Sequence, residues 1–294
     1  MNNIYHKSVL LNEVIENLNI EENKTYLDVT FGGGGHTGAI LEQNSTCKVI
    51  ALDWDKAAID INAPKLKEKY GDRVKILWGN FALIDRLLKK EKIEFVDGIL
   101  ADFGTSQYQI QKKEGFSFNI DSPLDMRMSQ AHQHIKASDV INGFTERELS
   151  DIFFNYGEER RAKKIARAIL EYRKRRKFIT SRQLAELIEN ITPGFRKFRI
   201  HPATKVFQAL RIFVNKELEN IEIFLSKSIN FLNKNGRIVC ISFHSLEDRI
   251  VKNFFRQNEE KLKIITKKPI SASKTEIEQN PSSRSAKLRV AEKK

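Results

Sequence analysis

DVTFGGGGHTGAIL, residues 28–41, joins an apolar run to a helical one through four consecutive glycines. Thr25–Thr30 (TYLDVT) reads as a short buried strand, and Thr37–Gln43 as a helix. Outward from this junction the alternation continues. Lys48–Leu52 is a strand ending at Asp53, and Ala57–Tyr70 is helical with an interruption at Pro64. Val74–Leu77 is a strand, Ile84–Lys92 a helix, and Phe95–Ala101 (FVDGILA) a strand again. Strands separated by helices of this length imply right-handed βαβ crossovers and a parallel sheet, so the fold class is α/β.

The pattern changes at Phe103. From there to about Gln133 the chain is rich in Gly, Ser, Gln and Asp, without clear periodicity. Ala137–Asn142, Glu146–Tyr156, Glu159–Arg176 and Ser181–Asn190 are then helical, with Thr145 and Glu148 spaced as a capping box and Ser181 placed as an N-cap. Val206–Phe231 is periodic and apolar, Gly236–Ser242 (GRIVCIS) is a buried strand, and Leu246–Arg256 is helical. Lys261–Lys267 and Ala286–Ala291 are strands suited to an antiparallel pair. The expected organisation is therefore a Rossmann-like core over residues 1–109 and 206–294, interrupted by a helical domain at 110–205.

The chain has 294 residues and a formal net charge of +13, with 40% hydrophobic residues, enough for a real core. The charge is uneven: residues 1–110 carry a net −3 and residues 111–294 a net +16. The second part is expected to meet a polyanion, nucleic acid before a membrane surface, because its basic stretches carry no bulky apolar face. No apolar stretch is long enough to span a bilayer, and no secretory signal is visible. Cys47 and Cys240 form neither a disulfide framework nor a metal spacing, which fits a reducing cytoplasm.

Gly33, Gly35 and Gly38 match the dinucleotide fingerprint G-x-G-x-x-G, and Asp53 stands where an acid can hold ribose hydroxyls. A nicotinamide-linked oxidoreductase is one reading of that loop. Asp28 argues against it, since a pyrophosphate gains nothing from an anion beside it. S-adenosyl-L-methionine carries an ammonium and a sulfonium, which a carboxylate stabilises. The series Asp28, glycine loop, Asp53, Asn80-Phe81 and Asp102 at successive strand ends therefore favours that cofactor, with Asn80, Phe81 and Asp102 near the adenine.

Several long segments carry a more specific resemblance. They include HKSVLLNEV (6–14), DVTFGGGGHTGAIL (28–41), GFSFNIDSPLDMRM (115–128), YGEERRAKKIARAI (156–169), HPATKVFQALRIFVNKEL (201–218) and ISFHSLEDRIVK (241–252). In this order they resemble the bacterial methyltransferases that modify the exocyclic amine, N(4), of a cytidine in the decoding centre of 16S ribosomal RNA. That family usually reads D-L-G-V-S-S-P-Q after the fourth strand; here the run is DFGTSQYQ, residues 102–109. The resemblance implies a class I S-adenosylmethionine-dependent methyltransferase fold with an inserted helical domain. It implies cofactor contacts at Gly34, Gly35, His36, Asp53, Phe81, Asp102 and Gln109. The implied partner is 16S rRNA in the assembled small ribosomal subunit, with no membrane involved and with monomer and homodimer both open.

The amine of cytosine is a poor nucleophile because its lone pair is delocalised into the ring. Alignment with the methyl group lowers the barrier, and acceptors on the amine hydrogens localise the lone pair. The base must also leave any stack to reach a pocket. Asp125 and His244 are the catalytic candidates, with Arg127, Phe243 and Arg249 as base or phosphate contacts. Asp125 reads equally as a turn residue and His244 as a helix cap, while Glu247 and Asp248 read as helix-start acids. His132 and His134 form an H-x-H pair in a polar loop, short of a coordination set, so no metal is expected. Residues 160–177 hold ten basic residues and one acid, Glu171, a density suited to RNA phosphates. A non-catalytic RNA-binding factor with the same fold is the third reading.

Overall fold

The computed structural model describes residues 8–104, 113–194 and 200–294. These divide into two compact units. One is built from the chain up to Ser106 together with Leu218–Lys294, and the other is Gln107–Glu217.

The first unit is a doubly wound α/β domain. Its strands are β1 (Thr25–Asp28), β2 (Lys48–Asp53), β3 (Val74–Trp78), β4 (Val96–Asp102), β5 (Leu232–Ser242), β6 (Leu262–Ile264), β7 (Ile270–Ser271) and β8 (Lys287–Lys293). They form one sheet in the order β3-β2-β1-β4-β5-β8-β6, with β7 paired to β8. The first five are parallel, and β8 runs antiparallel to β5, β6 and β7. The expected antiparallel pair is thus β6 with β8.

Period-two alternation sends these strands' side chains to two different cores. Leu27, Ile50, Ile99, Ile238 and Cys240 face one side, and Tyr26, Val49, Leu100, Val239 and Ile241 the other. Both faces are covered, which is why the strands read as nearly continuous apolar runs. Leu88, Phe224 and Phe255 cover the first side, from helices α4 (Ile84–Lys90), α10 (Glu217–Phe231) and α11 (Ser245–Gln257). Val14, Ile40 and Ala63 cover the second, from α1 (Leu11–Leu18), α2 (Gly35–Gln43) and α3 (Lys56–Tyr70). Pro64 does not interrupt α3. The carbonyl its ring deprives of a bond belongs to Asp60, which is exposed and has water available.

The second unit is helical. It contains α5 (Ala137–Gly143), α6 (Glu146–Gly157), α7 (Ala162–Arg173), α8 (Ser181–Asn190) and α9 (Thr204–Asn215) around a core including Val140, Phe153, Ile165, Phe178, Leu184 and Leu210. The Thr145–Glu148 capping box forms as expected. The cap of α8 is Thr180 rather than Ser181, reciprocated by Gln183.

The run 206–231 is two helices. Lys216 adopts a left-handed conformation between them, at φ 50°. The helical unit therefore ends at this break, and α9 belongs to it. The return to the core falls at Leu218, not at residue 206 as periodicity alone suggested. No helix among the described residues is long and apolar enough to cross a membrane.

Candidate active site

The strand order reverses between β1 and β4, and such a switch point opens a crevice at the strands' carboxyl ends. The register brings four acids to it. Asp28 ends β1, Asp53 ends β2, Asp102 ends β4, and Glu247 lies in the first turn of α11 just after β5.

Asp28 is fully buried and accepts from Thr37 Oγ1 at 2.7 Å and from the Thr30 backbone N–H at 3.0 Å. Burial raises its proton affinity, against the pull of His36 and these hydrogen bonds. Asp53 Oδ2 accepts from the Gly32 N–H at 2.7 Å, and Oδ1 from the Asp55 N–H at 2.8 Å. The glycine loop is thereby tied to the end of β2. Burial pushes the Asp53 carboxyl up to about 6. Asp102 is the most exceptional. Its Oδ1 is buried with no hydrogen-bond partner among the described residues. Burial, then the charges of Asp28 and Glu247, hold its carboxyl well above the usual range.

The glycine loop owes its shape to backbone geometry. Gly34 has φ +75°, and a Cβ there would meet the side chains of Leu66 and Phe31 at 3.0 Å. Gly35 opens α2, and a Cβ would lie 2.2 Å from Ser8 Oγ. The segment Ser8–Leu10 is thus strapped across the loop. The buried ring of His36 donates from Nε2 to the Val9 carbonyl at 3.0 Å, and Glu276 Oε1 accepts the Leu10 N–H at 2.7 Å. Burial lowers the His36 pKa, so the imidazole is neutral near pH 7. Its Nδ1 lies 3.8 Å from Asp102 Oδ2. Phe81, half-buried after β3, sits among Trp54, Phe103 and Phe224, with ring centroids 5.6–6.4 Å away. Neighbouring Asn80 caps the turn through the Ala82 N–H at 2.9 Å. Gln109 lies outside the described residues.

His244 is the N-cap of α11. Its Nε2 lies 3.2 Å from Glu247 Oε1 without hydrogen-bond geometry, and neither ring nitrogen has a hydrogen-bond partner among the described residues. Glu247 Oε2 accepts the backbone N–H groups of Phe243 at 2.7 Å and His244 at 3.3 Å, the expected role of a helix-start acid. Asp248 has a different role: it forms a buried ion pair with Arg289, at 2.6 and 3.1 Å.

Asp125 belongs to the helical unit and is closed into a two-toothed pair with Arg127, at 2.7 and 2.8 Å. Burial alone would raise its pKa, but Arg127 outweighs that and holds it below the usual carboxylate range. The loop around it is pinned by residues that sequence reasoning missed. Buried Asn215 accepts from the Met128 N–H and donates to the Met126 carbonyl, both at 2.8 Å. Gly115 is pressed so closely that a Cβ would lie 2.7 Å from the Asp125 nitrogen.

The basic run is partly spent on the helical unit itself. Arg161 pairs with Glu159, Arg167 with Glu146 and Lys174 with Glu171, while Lys164 and Arg173 donate to the carbonyls of Ile191 and Ile141. Arg196, Lys197 and Arg199 lie outside the described residues. His132 is tied to Ser129 at 2.9 Å.

The model of the MraW methylase family matches residues 3–294. The chain belongs to the MraW methylase family. Relatives of this member are named ribosomal RNA small subunit methyltransferase H. The protein from Sulfurihydrogenibium sp. is 47% identical over 98% of both chains. That from Nostoc punctiforme is 50% identical over 98% of this chain and 94% of its own. Another, from Rickettsia canadensis, is 46% identical over 97% of each.

Proposed function

We propose that the protein transfers a methyl group from S-adenosyl-L-methionine to N(4) of a cytidine in the decoding centre of 16S rRNA, acting in the cytoplasm on the assembled small subunit. The relatives' shared name and the family model support methylation of small-subunit RNA. The observation that carries the cofactor is Asp102: a buried carboxylate oxygen with no hydrogen-bond partner among the described residues, under the charges of two further acids, Asp28 and Glu247, beside a glycine loop. Such a cluster is costly unless a cation completes it. A nicotinamide pyrophosphate would add negative charge instead.

The bound cofactor supplies an activated methyl group on a sulfonium. The chain's own residues do the rest. Asp28 provides negative charge for the cofactor's cationic end, and Asp102, which the sequence placed near the adenine, is reassigned to that end because the charges of Asp28 and Glu247 act on its carboxyl. Asp53 holds the ribose hydroxyls with its remaining lone pairs, and the apolar ring of Phe81 packs against the adenine. Gly34, Gly35 and the backbone at His36 allow close approach, and Gln109 completes the set. His244, at the end of β5, has two buried ring nitrogens with no hydrogen-bond partner among the described residues; it accepts a hydrogen bond from the cytosine amine and localises its lone pair. Asp125 acts through Arg127, fixing its guanidinium for a phosphate or base contact. The helical unit supplies the RNA-recognition surface, and the cytidine is extruded into the pocket.

Transfer of labelled methyl to assembled small subunits tests the function. Appearance of label at N(4) of one cytidine is expected; label on no ribosomal particle would leave a non-catalytic binding factor. His244→Ala and Asp125→Ala are expected to lower turnover ~10²-fold or more while calorimetry shows cofactor affinity nearly unchanged. Wild-type turnover in both would remove them from the mechanism.

A further inference from the structure

On the first unit, a cavity of about 480 Å³ opens between α11 and the edge strand β6. Its floor is apolar, formed by Phe255, Leu262 and Ile264. Its rim is cationic: Lys252, Arg256, Lys263, Lys267 and Lys294 surround it, and Glu259 is the single acid in its lining. Lys252 and Arg256 are four residues apart on α11 and so share one face of that helix.

Three of the five cations on this rim are not spent internally. Lys252, Arg256 and Lys267 form no ion pair or side-chain hydrogen bond with the described residues. Lys263 reaches Glu292 only at 3.7 Å, and the Lys294 ammonium bonds a neutral carbonyl, that of Glu259. Arg289, in the wall, is already neutralised by Asp248. This contrasts with the basic run 160–177 of the helical unit, where Arg161, Arg167 and Lys174 are paired with acids. Lysines on an edge strand commonly serve only to block sheet-to-sheet pairing. That accounts for Lys263, but not for the two cations of a helix that turn toward the same hollow.

The register also places the cavity. Leu262 pairs with Lys293, and Arg237 pairs with Glu292, so β6 begins at the amino end of the parallel strands. The four acids lie at the carboxyl end, near Ser242, whereas the cavity lining runs along β8 from Lys294 to Arg289, which pairs with Cys240, and includes none of those acids. The cavity is therefore separate from the candidate cofactor site.

We infer that this cavity binds the phosphodiester backbone of the small-subunit rRNA, at nucleotides other than the methylated cytidine, an inference that rests on the proposed RNA substrate. Unpaired cations around a hollow offer phosphates ionic contacts without having to break existing pairs. Contacts outside the candidate cofactor site serve to position the particle and do not touch the chemistry.

The test is the triple reversal K252E/R256E/K267E beside wild type. Binding to protein-free small-subunit rRNA and to whole subunits is measured across a salt series, with cofactor affinity measured in parallel. RNA affinity is expected to fall at least ~10-fold at low salt, and the log–log salt slope to flatten by about two. Cofactor affinity should be unchanged, and KM for subunits should rise while kcat holds. RNA affinity and salt slope within about twofold of wild type would overturn the inference, while wild type still bound RNA. Loss of binding to whole subunits but not to protein-free rRNA would also overturn it, assigning the cavity to an acidic protein partner. A wild-type protein that binds neither would overturn the substrate reading itself. If the reversal variant loses cofactor binding, and so its fold, the neutral triple K252Q/R256Q/K267Q replaces it in every measurement, and the same outcomes support or overturn the inference.

Discussion

Asp53 shows how one buried carboxyl couples stability to ligand. Burial holds it at about 6, against an ordinary 3.8. Between those values the folded protein binds more protons than the unfolded chain, so its contribution to stability is present at low pH and is lost as pH rises through about 6. Asp53→Asn removes this dependence. At pH 7.5 the ligand-free variant should gain about 1–2 kcal/mol over wild type, after allowing for a weakened bond to Gly32 or Asp55. The advantage should shrink toward pH 4.5 in parallel denaturation curves. The same substitution should weaken cofactor binding about tenfold or more at pH 7.5, and wild-type affinity should itself decline below pH 6. A variant that loses stability and keeps affinity would contradict both assignments. Asp28, Asp53 and Asp102 were legible in the sequence because strand ends are easy to locate and acids there are few. The missing partner of Asp102 was not, since it depends on which atoms are left over after packing.

At the scale of elements, the strap of Ser8–Leu10 over α2 is the least predictable feature. Nothing in local spacing joins Leu10 to Glu276, 266 residues later, or Val9 to His36. His36 was legible as a site residue through the family motif, but its ring faces the strap. A two-residue cycle can test this packing. Gly35→Ala places a methyl 2.2 Å from Ser8 Oγ and should cost about 1–2 kcal/mol. Ser8→Ala leaves that methyl 3.5 Å from the Ser8 Cβ, an ordinary contact, so the double variant should recover most of the loss in thermal melts. Additive costs would mean that the strap does not rest on Gly35. Helix existence and the parallel sheet followed well from periodicity. The break at Lys216 did not, because a lysine in a left-handed turn leaves the apolar repeat on either side uninterrupted.

For the whole molecule, the two units have separate cores, and damage to one should be separable from the other. Asn215 is fully buried in the helical unit and satisfies two backbone groups of the Met126–Met128 loop. Asn215→Ala orphans both and should cost about 2–3 kcal/mol. Proteolysis and hydrogen exchange should report that loss within residues 113–194 and 200–217, while calorimetric cofactor affinity stays near wild type. Equal loss of affinity would show that the cofactor site depends on the helical core. The asymmetry of charge, by contrast, was a coarse guide to RNA contact. It located the positive excess, but pairing within the helical unit reduces what α7 can offer.

The place of β8 has a consequence for synthesis. This strand, residues 287–293, lies between β5 and β6 and hydrogen-bonds to both as well as to β7. During translation β5 is made some fifty residues earlier, so its outer edge waits unpaired while the intervening chain emerges. The nascent protein cannot close its sheet until residues 287–293 clear the exit tunnel. A chain ending before Lys287 would keep an open, fully apolar edge at Ile238–Ile241, and it should accumulate as aggregates when the full-length chain is recovered from the supernatant.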